Sequence, residues 1–337
     1  MHVMGGGDVG GAKTQIMNTV TGLSRTNDVM LISFRAGPFA DEARERGIDV
    51  RVIERHNPFR AARTMRDLVD DVKPDIIHCH GGRANLMGAM VRRSRRIPII
   101  TTVHSDYRLD YLGSPLKQHT LGTANAIALR FLDFYQPVAD RMARTLIERG
   151  FDPERIVKIY NGMEFNRPEG EFDRAAYLRE TYGAEIEEGD VLCGIAARLT
   201  AVKDIATTVR GFAEALKTAP QLRLFIAGDG EDADMLKKLC DQLGVRERVT
   251  FCGWVSPVMP FFRAMDINLL SSVSETFPYS ILEGVCAGCA TICSDVGGMP
   301  ELIDTGENGY IFPVGDDKKL AEYMARLAND AALRHTF

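Results

Sequence analysis

The feature that most constrains this fold is an alternation of short β-branched runs with longer helical segments, which occurs twice along the chain. Such alternation is typical of βαβ units, which build parallel sheets with helices on both faces. We predict strands at His2–Met4, Val29–Phe34, Asp49–Ile53, Asp75–His78, Ile97–Val103 and Arg155–Ile159, then at Val191–Ala196, Arg223–Ala227, Val249–Cys252, Ile267–Leu270 and Ala290–Ser294. Helices separate the strands, for example at Ala12–Ser24, Pro58–Val72, Ile205–Lys217, Asp232–Leu243 and Tyr279–Ala287.

An acidic stretch with Pro and Gly, residues 161–190, separates the two series and carries one short predicted helix at Arg174–Tyr182. Its composition is typical of an interdomain linker. A chain of 337 residues can bury two separate cores. The sequence therefore predicts an α/β protein with two Rossmann-like, doubly wound parallel-sheet domains, 1–160 and 191–337. Such folds bind ligands at the carboxyl ends of their strands, so we expect a cleft between the domains.

Composition predicts a cytoplasmic protein. No uninterrupted apolar run approaches the roughly 18–20 residues that span a bilayer. The chain starts at once with a strand and a glycine loop, which is not the pattern of a signal peptide. Seven cysteines fit a reducing compartment.

Charge is divided unevenly along the chain. Up to Tyr160 there are 24 Lys and Arg against 18 Asp and Glu, and beyond it 17 against 28. A basic amino-terminal half suggests an anionic partner, and peripheral contact with the inner face of a membrane is one form of it. The densest basic run, Arg92–Arg96, is equally explained as a solvated helix end that pairs with the helix dipole. We expect no nucleic-acid partner.

Cys286, Cys289 and Cys293 form the tightest group of cysteines and raise the question of zinc. Structural zinc usually takes four Cys or His ligands, with a second ligand pair elsewhere in the chain, and none is present here. The three residues lie in an apolar passage from a helix to a strand, where cysteine behaves as a small buried hydrophobe. We therefore assign them to the core.

The loop Gly5–Gly10 matches G-x-G-x-x-G between a strand and a helix, the pattern of dinucleotide-binding folds. Arg35 stands where an acidic residue would follow the second strand, and no tyrosine has a lysine four positions later, as a short-chain reductase requires. The loop is better explained as a turn that lets backbone approach a ligand closely. A tight turn without a ligand is the structural alternative.

Glu275 and Glu283 lie eight residues apart around a predicted helix start, with Pro278 expected in the first turn. The amino end of a helix presents free N–H groups and a positive dipole end, which suit an anion. Carboxylates accept hydrogen bonds from sugar hydroxyls. The segment therefore predicts a site for a phosphorylated polyol.

Arg198 and Lys203 follow a predicted strand and precede a helix. Two cations at the carboxyl edge of a parallel sheet are what a diphosphate leaving group requires. Either residue alone would be explained as an ordinary surface charge. Together with the Glu275/Glu283 segment they predict an anion-binding site.

These motifs, taken together, resemble the family-4 retaining glycosyltransferases, and the likeness covers nearly the whole chain in the family's order. It is carried by Arg198 with Lys203, Gly228-Asp229-Gly230, Phe251-Cys252-Gly253-Trp254-Val255, Glu275 with Glu283, Gly297-Gly298-Met299-Pro300-Glu301, Gly10-Gly11, Thr102-Val103-His104-Ser105 and Tyr160-Asn161-Gly162. The resemblance implies the GT-B fold. It also implies transfer of a sugar from a nucleoside diphosphate, UDP- or GDP-linked, with retention and without a metal or other cofactor. The acceptor would be a hydroxyl of a glycan or of a lipid-linked molecule, in the synthesis of cell-surface or exopolysaccharide.

The resemblance also implies a role for each matched residue. Arg198 and Lys203 would bind the diphosphate, Glu275 the donor sugar and Glu283 the ribose. The remaining implied contacts are the main chain near Phe277, Tyr279 and Ser280 to the distal phosphate, Val255 to the base, Gly228 to the donor, His104 to the sugar near the reacting centre, and Gly10 and Gly11 to phosphate and acceptor. The sequence departs from the family pattern at Pro278 and Asp204, where glycine is usual.

Three alternatives remain open from the sequence. A GT-B nucleotide-sugar epimerase would need no acceptor, and a non-catalytic nucleotide-sugar-binding module would need only the donor site. Glu275 as a glycosidase-like nucleophile would need a second carboxyl group at about 5–5.5 Å. The family's terminal helix, which crosses back onto the amino-terminal domain, is expected to be absent because the sequence stops at Phe337.

Two patterns suggest a metal, and we interpret both otherwise. Asp232-Ala233-Asp234 matches the D-x-D motif of other glycosyltransferases, but acids at the start of a helix also cap its amino end. His78 and His80 fall on one side of a strand and could bind a metal as a pair, yet the sequence shows no third ligand. We expect these histidines to form hydrogen bonds or to line the cleft, with His80 near the acceptor.

Overall fold

The computed structural model describes residues 1–5, 11–55, 57–92, 96–108, 116, 118–165 and 170–337. It divides into two compact units, Met1–Gly162 and Met163–Phe337. Within the described residues, no helix combines the length and the apolar character needed to cross a membrane.

The first unit is a six-stranded parallel sheet with helices between its strands. The strands are β1 (His2–Met4), β2 (Met30–Ser33), β3 (Asp49–Val52), β4 (Ile77–His80), β5 (Ile99–Val103) and β6 (Phe134–Pro137). The helices are α1 (Gly11–Leu23), α2 (Pro38–Glu45), α3 (Pro58–Val72), α4 (Gly82–Arg92), a π-helical turn at Gln118–Gly122, α5 (Thr123–Leu129) and α6 (Asp140–Glu148). The strand order is β3-β2-β1-β4-β5-β6.

The second unit repeats this plan. Its strands are β7 (Val191–Ala196), β8 (Leu222–Ala227), β9 (Val249–Gly253), β10 (Ile267–Leu270), β11 (Ala290–Ser294) and β12 (Tyr310–Phe312). Its helices are α7 (Arg174–Tyr182), α8 (Ile205–Ala215), α9 (Ala233–Gln242), α10 (Met259–Ala264), α11 (Tyr279–Ala287), α12 (Asp317–Asn329) and α13 (Ala331–Thr336). The order β12-β11-β10-β7-β8-β9 is again parallel throughout.

The strand order fixes where each unit can bind a ligand. Each order reverses direction beside its first strand, between β1 and β4 in the first unit and between β7 and β10 in the second. Loops leaving the carboxyl ends of two such strands diverge and leave a crevice between them. The predicted cations follow β7 and the predicted Glu275 follows β10, so the topology places both loops at the same crevice.

One predicted strand is wrong and two strands were missed. Arg155–Ile159 is not a strand; it forms a single parallel bridge, from Ile156 to Tyr135 on β6. Val157 and Ile159 donate to the carbonyls of Tyr135 and Pro137 at 2.9 and 3.1 Å. The ladder stops there because Pro137 has no N–H to return the next bond. The short strands β6 and β12 carry too little pattern to be predicted.

The segment predicted as a linker belongs almost entirely to the second unit, which begins at Met163. Asp173 caps α7 by accepting from the backbone N–H groups of Ala175 and Ala176 at 3.0 and 2.9 Å. Leu178 on that helix is fully buried in a cluster with Leu192 of β7 and Phe225 of β8. The helix is therefore packed on the sheet and is not a free connection.

The cysteines agree with their assignment to the core. Cys286, Cys289 and Cys293 are buried, and none of the three forms a disulfide bond. Cys289 packs with Phe262, whereas Cys293 packs with Leu270 in another cluster. Burial raises the pKa of the Cys289 and Cys293 thiols to about 12, so both are neutral thiols at physiological pH.

Candidate functional site in the second unit

Lys203 and Glu275 form an ion pair at the point where the strand order of the second sheet reverses. Lys203 Nζ contacts Glu275 Oε1, and the two side chains are only 19% and 12% exposed. Ser272 Oγ donates to the same oxygen at 2.8 Å. Glu275 is therefore held by a cation and a hydroxyl group, two contacts that we did not predict.

Hydrogen bonds join the two loops that carry this pair, the loop after β7 and the loop after β10. Val273 N–H donates to Val202 O at 2.9 Å. Ser271 Oγ donates to the carbonyls of Lys203 and Asp204 at 3.1 and 2.9 Å, and Thr208 Oγ1 on α8 lies 2.8 Å from Ser271 Oγ. Because these bonds fix the backbone at Lys203, its ammonium group is presented from a rigid turn.

Asp204, one of the two departures from the family pattern, has a left-handed backbone with φ of +44°. This conformation explains why glycine is usual at the position. Asp204 compensates by capping α8: its Oδ2 accepts from Thr207 Oγ1 at 2.6 Å and its Oδ1 from Thr207 N–H at 3.3 Å. The departure therefore preserves the turn that precedes the helix.

Arg198 leaves the end of β7 with an exposed side chain. Its guanidinium group makes no ion pair or hydrogen bond with any residue that the structure describes. Its neighbours Ala197 and Leu199 bond to the loop that follows β8, through Ala197 N–H to Ala227 O and Leu199 N–H to Asp229 O, both at 2.9 Å. The backbone of Arg198 is thus fixed while its charge stays available to an anion.

Gly228 makes this close approach of two loops possible. It has a φ of +140°, and a Cβ added there would lie 1.8 Å from Ala197 O. Its N–H donates to Gly253 O at 2.7 Å, which joins the loop to the end of β9. The resemblance implied a donor contact for Gly228, which stays a prediction; the structure shows that the residue supports the backbone beside Arg198.

We predict that Gly228→Ala destabilises the second unit by about 3–5 kcal/mol, from backbone strain added to a steric clash. Gly244→Ala is the matched control, because Gly244 also has a positive φ, +69°, but has open space around its Cβ position. The free energy of unfolding of the control should fall by only about 1–2 kcal/mol, which is the cost of the left-handed conformation. Urea unfolding of both variants measures the difference, and equal losses would contradict the packing argument.

The helix α11 begins behind Glu275. Its first residue is Tyr279, so Pro278 occupies the N-cap position, whereas we predicted it in the first turn. Its side chains at Tyr279 and the preceding Phe277 are buried, and Ser280 is half-buried. Asn268, fully buried on β10, donates to Ser280 O at 2.9 Å and so anchors the first turn. This leaves the first turn rigidly placed, as an anion site needs.

The Gly297-Gly298 motif supports the same segment from the opposite side. A Cβ on Gly297, whose φ is +51°, would lie 2.4 Å from Glu275 O and 2.5 Å from Thr276 O. Gly298 N–H donates to Thr276 O at 2.6 Å. Only glycine allows this approach, so the motif serves to position Glu275 and the residues that lead into α11.

Glu283 lies in the second turn of α11, as predicted, and is half-buried. Burial raises the pKa of its carboxyl group to about 7. Among the described residues it has neither a hydrogen-bond partner nor a cation. A desolvated carboxyl group without a partner is an acceptor kept free for a ligand, and hydroxyl groups are suitable donors to it.

Val255 follows β9 and is half-buried against the cluster around Leu178. The preceding residue, Trp254, is the single tryptophan of the chain and is 60% exposed. The D-x-D pattern begins beside the Arg198 loop, because Asp232 N–H donates to Leu199 O at 3.0 Å. Asp232 is the N-cap of α9 but accepts no capping hydrogen bond, contrary to expectation, and Asp234 pairs with Lys237 at the surface at 3.7 Å.

Histidine cluster and cavity in the first unit

His104 directly follows β5 and lies in a cluster of four imidazole rings. His80 Nδ1 lies 3.3 Å from His104 Nε2, and His2 Nδ1 lies 3.1 Å from His80 Nε2. His78 stacks on His80 with ring centroids 4.4 Å apart and has its Nε2 2.7 Å from Thr102 Oγ1. Hydrogen bonding, which we predicted for His78 and His80, is therefore their role in the fold.

The register of the sheet assembles this cluster. His2 pairs with His78 across β1 and β4, and His80 pairs with Thr102 across β4 and β5. Residues two apart on a strand share a face, so rings from three neighbouring strands meet. His2 was not identified from the sequence, because only the register brings it beside His80.

The same cluster supplies the third histidine that the sequence lacked. One nitrogen from each of His2, His78 and His80 falls within 4.8 Å of the others. Zinc ligands at 2.0–2.1 Å around one tetrahedral ion would lie about 3.4 Å apart. His2 Nδ1 and His80 Nε2 face each other at 3.1 Å, and a direct hydrogen bond between the two rings accounts for that contact.

All four rings are neutral at physiological pH. Burial lowers the pKa of His2 to about 3 and those of His78 and His104 to about 4, and it holds the pKa of His80 well below its ordinary value. Neighbouring rings add to the effect at His2, His80 and His104. His104 therefore acts as a neutral donor or acceptor and not as a cation.

Two further features of the first unit bear on a ligand. Gly11 begins α1 and is exposed, while Gly10 lies outside the described residues. A cavity of about 500 Å³ is lined by Tyr107, Arg108, Gln118, His119, Gly122, Thr123 and Ala126. The π-helical turn forms one wall, and Gln118 Oε1 is buried there without a hydrogen-bond partner. The cavity thus offers polar groups to a ligand.

Relationship to known proteins

The two halves of the chain match two family models. Residues 9–167 match Glycosyltransferase Family 4, and residues 183–337 match Glycosyl transferases group 1. The chain belongs to the family 4, group 1 glycosyltransferases. The resemblance predicted from the motifs is confirmed, and the protein is a glycosyltransferase.

Relatives with assigned names share about a quarter of their residues with this glycosyltransferase. An uncharacterised glycosyltransferase of Methanocaldococcus jannaschii is 29% identical over 277 residues, which cover 78% of this chain and 68% of that protein. The N-acetyl-alpha-D-glucosaminyl L-malate synthase of Bacillus anthracis is 27% identical over 283 residues, which cover 81% and 70%.

Solved structures confirm the predicted fold class. Anabaena HepE in complex with UDP-glucose superposes with a TM-score of 0.86 at 21% identity, covering 100% of this chain and 92% of HepE. A sucrose-phosphate synthase from Thermosynechococcus elongatus superposes with a TM-score of 0.79 at 16% identity, covering 99% and 91%. The glycosyltransferase has the GT-B fold, with two Rossmann-like α/β domains.

Proposed function

We propose that this glycosyltransferase moves a sugar from a nucleoside diphosphate to a hydroxyl group of a glycan or lipid-linked acceptor, with retention and without a metal. One observation carries the donor site. The ion pair of Lys203 with Glu275 joins the loop after β7 to the loop that leads into α11. The free guanidinium group of Arg198 belongs to the first of these loops, and the unpartnered Glu283 lies in the second turn of α11. Two cations and a helix amino end suit a diphosphate, and the carboxyl group suits the ribose hydroxyls.

The proposed donor contacts follow from this arrangement. Arg198 and Lys203 bind the diphosphate, and the backbone N–H groups near Phe277, Tyr279 and Ser280 face its distal phosphate. Glu275 binds hydroxyl groups of the donor sugar, and Val255 lines the base pocket near Gly228. A bound diphosphate offers Lys203 a second anionic partner, which leaves Glu275 more of its acceptor capacity for the sugar.

The proposed chemistry is electrostatic stabilisation of the leaving group. As the bond from the sugar to the diphosphate breaks, negative charge grows on the oxygen facing Arg198, Lys203 and the helix end. The acceptor hydroxyl attacks from the same face and passes its proton to the leaving phosphate, so no enzymic nucleophile is required. Glu275 is poorly suited to act as one, because Lys203 and Ser272 already occupy its Oε1.

The acceptor and the location of the enzyme are proposed from the first unit. His104, with Gly10 and Gly11, contacts the reacting groups, and the cavity beside Arg108 is a candidate for part of the acceptor. Leu121, Ile127 and Phe131 are 50%, 57% and 61% exposed around α5. Exposed apolar side chains on a basic half of the chain support peripheral contact with an anionic membrane. Seven cysteines, none of them in a disulfide bond, support the cytoplasmic side.

A binding experiment tests the donor site, and Trp254 provides its signal. UDP, GDP, ADP and their sugars are titrated in EDTA while the fluorescence of Trp254 and the unfolding temperature are followed. We expect one nucleotide family, UDP in the first place because HepE was solved with UDP-glucose, to bind in EDTA. A ligand at 100 times its dissociation constant should stabilise the fold by about 2.7 kcal/mol.

The controls separate this proposal from its alternatives. Lys203→Ala should abolish the stabilisation, whereas Lys237→Ala, on the exposed face of α9, should leave it intact. Binding only of NAD(P), or a strict requirement for a divalent ion, would contradict the proposal. A 2-epimer formed from the donor alone would identify the epimerase alternative.

A further inference from the structure

Three histidines of the first unit form a continuous chain of hydrogen bonds. His2 Nδ1 faces His80 Nε2 at 3.1 Å, and His80 Nδ1 faces His104 Nε2 at 3.3 Å. The exposed fractions of His2 and His80 are 5% and 3%, so water cannot replace either bond freely. His104 Nδ1, at the end of the chain, makes no hydrogen bond with a residue that the structure describes.

If the three rings are neutral, only two placements of the ring protons allow both hydrogen bonds to form. A neutral imidazole carries one N–H and one lone pair. If His80 donates from Nε2 to His2, its Nδ1 must accept from His104 Nε2–H. If His80 donates from Nδ1 to His104, its Nε2 must accept from His2 Nδ1–H. The tautomer of His104 is therefore coupled to those of the other two rings.

One of the two arrangements is intrinsically preferred. In the first, all three rings carry the proton on Nε2, which is the favoured site in neutral histidine. In the second, all three carry it on Nδ1, the disfavoured site. Because the hydrogen bonds couple the three tautomers, the preference of each ring for a proton on Nε2 adds to that of the other two. The sum favours the first arrangement.

We infer that His2 and His80 are positioning residues that hold His104 as the Nε2–H tautomer, so that its free Nδ1 is an acceptor for a hydroxyl group. The ligand group is a sugar hydroxyl of the donor or the acceptor. The assignment of that ligand rests on the proposed function, whereas the tautomer itself does not.

Ring nitrogen resonances test the tautomer directly. Protein labelled with ¹⁵N-histidine is examined by two-bond ¹H–¹⁵N correlation, with His104→Gln to assign the signals. We expect one resolved Nε2–H pattern for His104, and averaged nitrogen shifts for the exposed His335. An averaged or Nδ1–H pattern for His104 in the wild-type protein would overturn the inference.

A pair of amide substitutions at His80 tests the role of the chain. The amide group of asparagine falls near the position of an imidazole Nδ1, and that of glutamine near Nε2. His80→Asn therefore keeps a hydrogen-bond acceptor for His104 Nε2–H but loses the hydrogen bond to His2. His80→Gln keeps the hydrogen bond to His2 but loses the acceptor for His104. We expect His104 to stay in one tautomer in His80→Asn and to become averaged in His80→Gln, with kcat of the latter lower by tenfold or more and KM for the donor little changed.

Equal His104 spectra in both variants would overturn the inference. If either variant fails to fold, the wild-type spectrum still decides the tautomer. A resolved Nε2–H tautomer in a protein that binds no nucleotide sugar would contradict the proposed function alone.

Discussion

Replacing Lys203 by alanine should lower kcat by about 10²–10³, because one preorganised group that stabilises the leaving diphosphate is lost. The same change should also lower the free energy of unfolding by about 2–3 kcal/mol. It leaves the carboxylate of Glu275, which is 12% exposed, without its cation, and an unpaired buried charge is costly. Ser272 Oγ still donates to Glu275 Oε1, so the loss stays below that of a fully isolated charge.

A double variant separates these two effects. Lys203→Ala combined with Glu275→Gln removes the unpaired charge and should recover most of the lost stability, with no recovery of kcat. The two changes couple because the side chains are in direct contact. Lys237→Ala is the control, since its pair with Asp234 is exposed at 3.7 Å and should contribute less than 1 kcal/mol.

Chemical denaturation and steady-state kinetics on the four proteins measure both quantities. If Lys203→Ala retains wild-type kcat, the proposed role of Lys203 is wrong. If the double variant is no more stable than Lys203→Ala, the ion pair of Lys203 with Glu275 is not the origin of the stability loss.

Glu283→Gln should raise stability at pH 8 and weaken donor binding at the same time. Burial raises the pKa of the folded-state carboxyl group to about 7, above its ordinary value of 4.5. Glu283 therefore binds its proton more tightly in the folded state. Its stabilising contribution is complete below pH about 4.5, and it is lost as the pH rises through 7. Glutamine, which does not ionise, avoids that loss, so the variant should gain about 2–3 kcal/mol at pH 8 and almost nothing at pH 4.5.

The cost to function follows from the same carboxyl group. Hydrogen bonds from ribose hydroxyls to a carboxylate are stronger than those to an amide, by enough to weaken donor binding about tenfold or more in Glu283→Gln. Because a proton competes with the ribose for Glu283, donor affinity of the wild-type protein should rise from pH 6 to pH 8, and that of the variant should not.

Unfolding curves and donor titrations at several pH values test both parts. Glu231→Gln, at an exposed position before α9, is the control and should show neither effect. A Glu283→Gln variant whose stability changes with pH as the wild type does would contradict the assignment of the raised pKa to Glu283.

The sequence by itself determined the architecture and the family. Its alternating pattern predicts ten of the twelve strands that the structure describes, which is enough to require two doubly wound sheets. Helices such as Pro58–Val72 and Tyr279–Ala287 have the predicted bounds. These features are local: hydrophobic period, glycine turns and a proline before a helix act within a few residues. The motifs around Arg198 and Glu275 are equally local, so they identify the family without the fold.

Only the tertiary structure decided which of these groups meet and how they are solvated. Lys203 and Glu275 are 72 residues apart, and the reversal of the strand order brings them into one ion pair. His2 joins His80 through the register of β1 and β4, which no spacing in the sequence reveals. The raised pKa of Glu283 depends on burial, and burial depends on what packs around α11. Sequence patterns record each residue's own preference, whereas pairing, register and desolvation are properties of the whole packed chain.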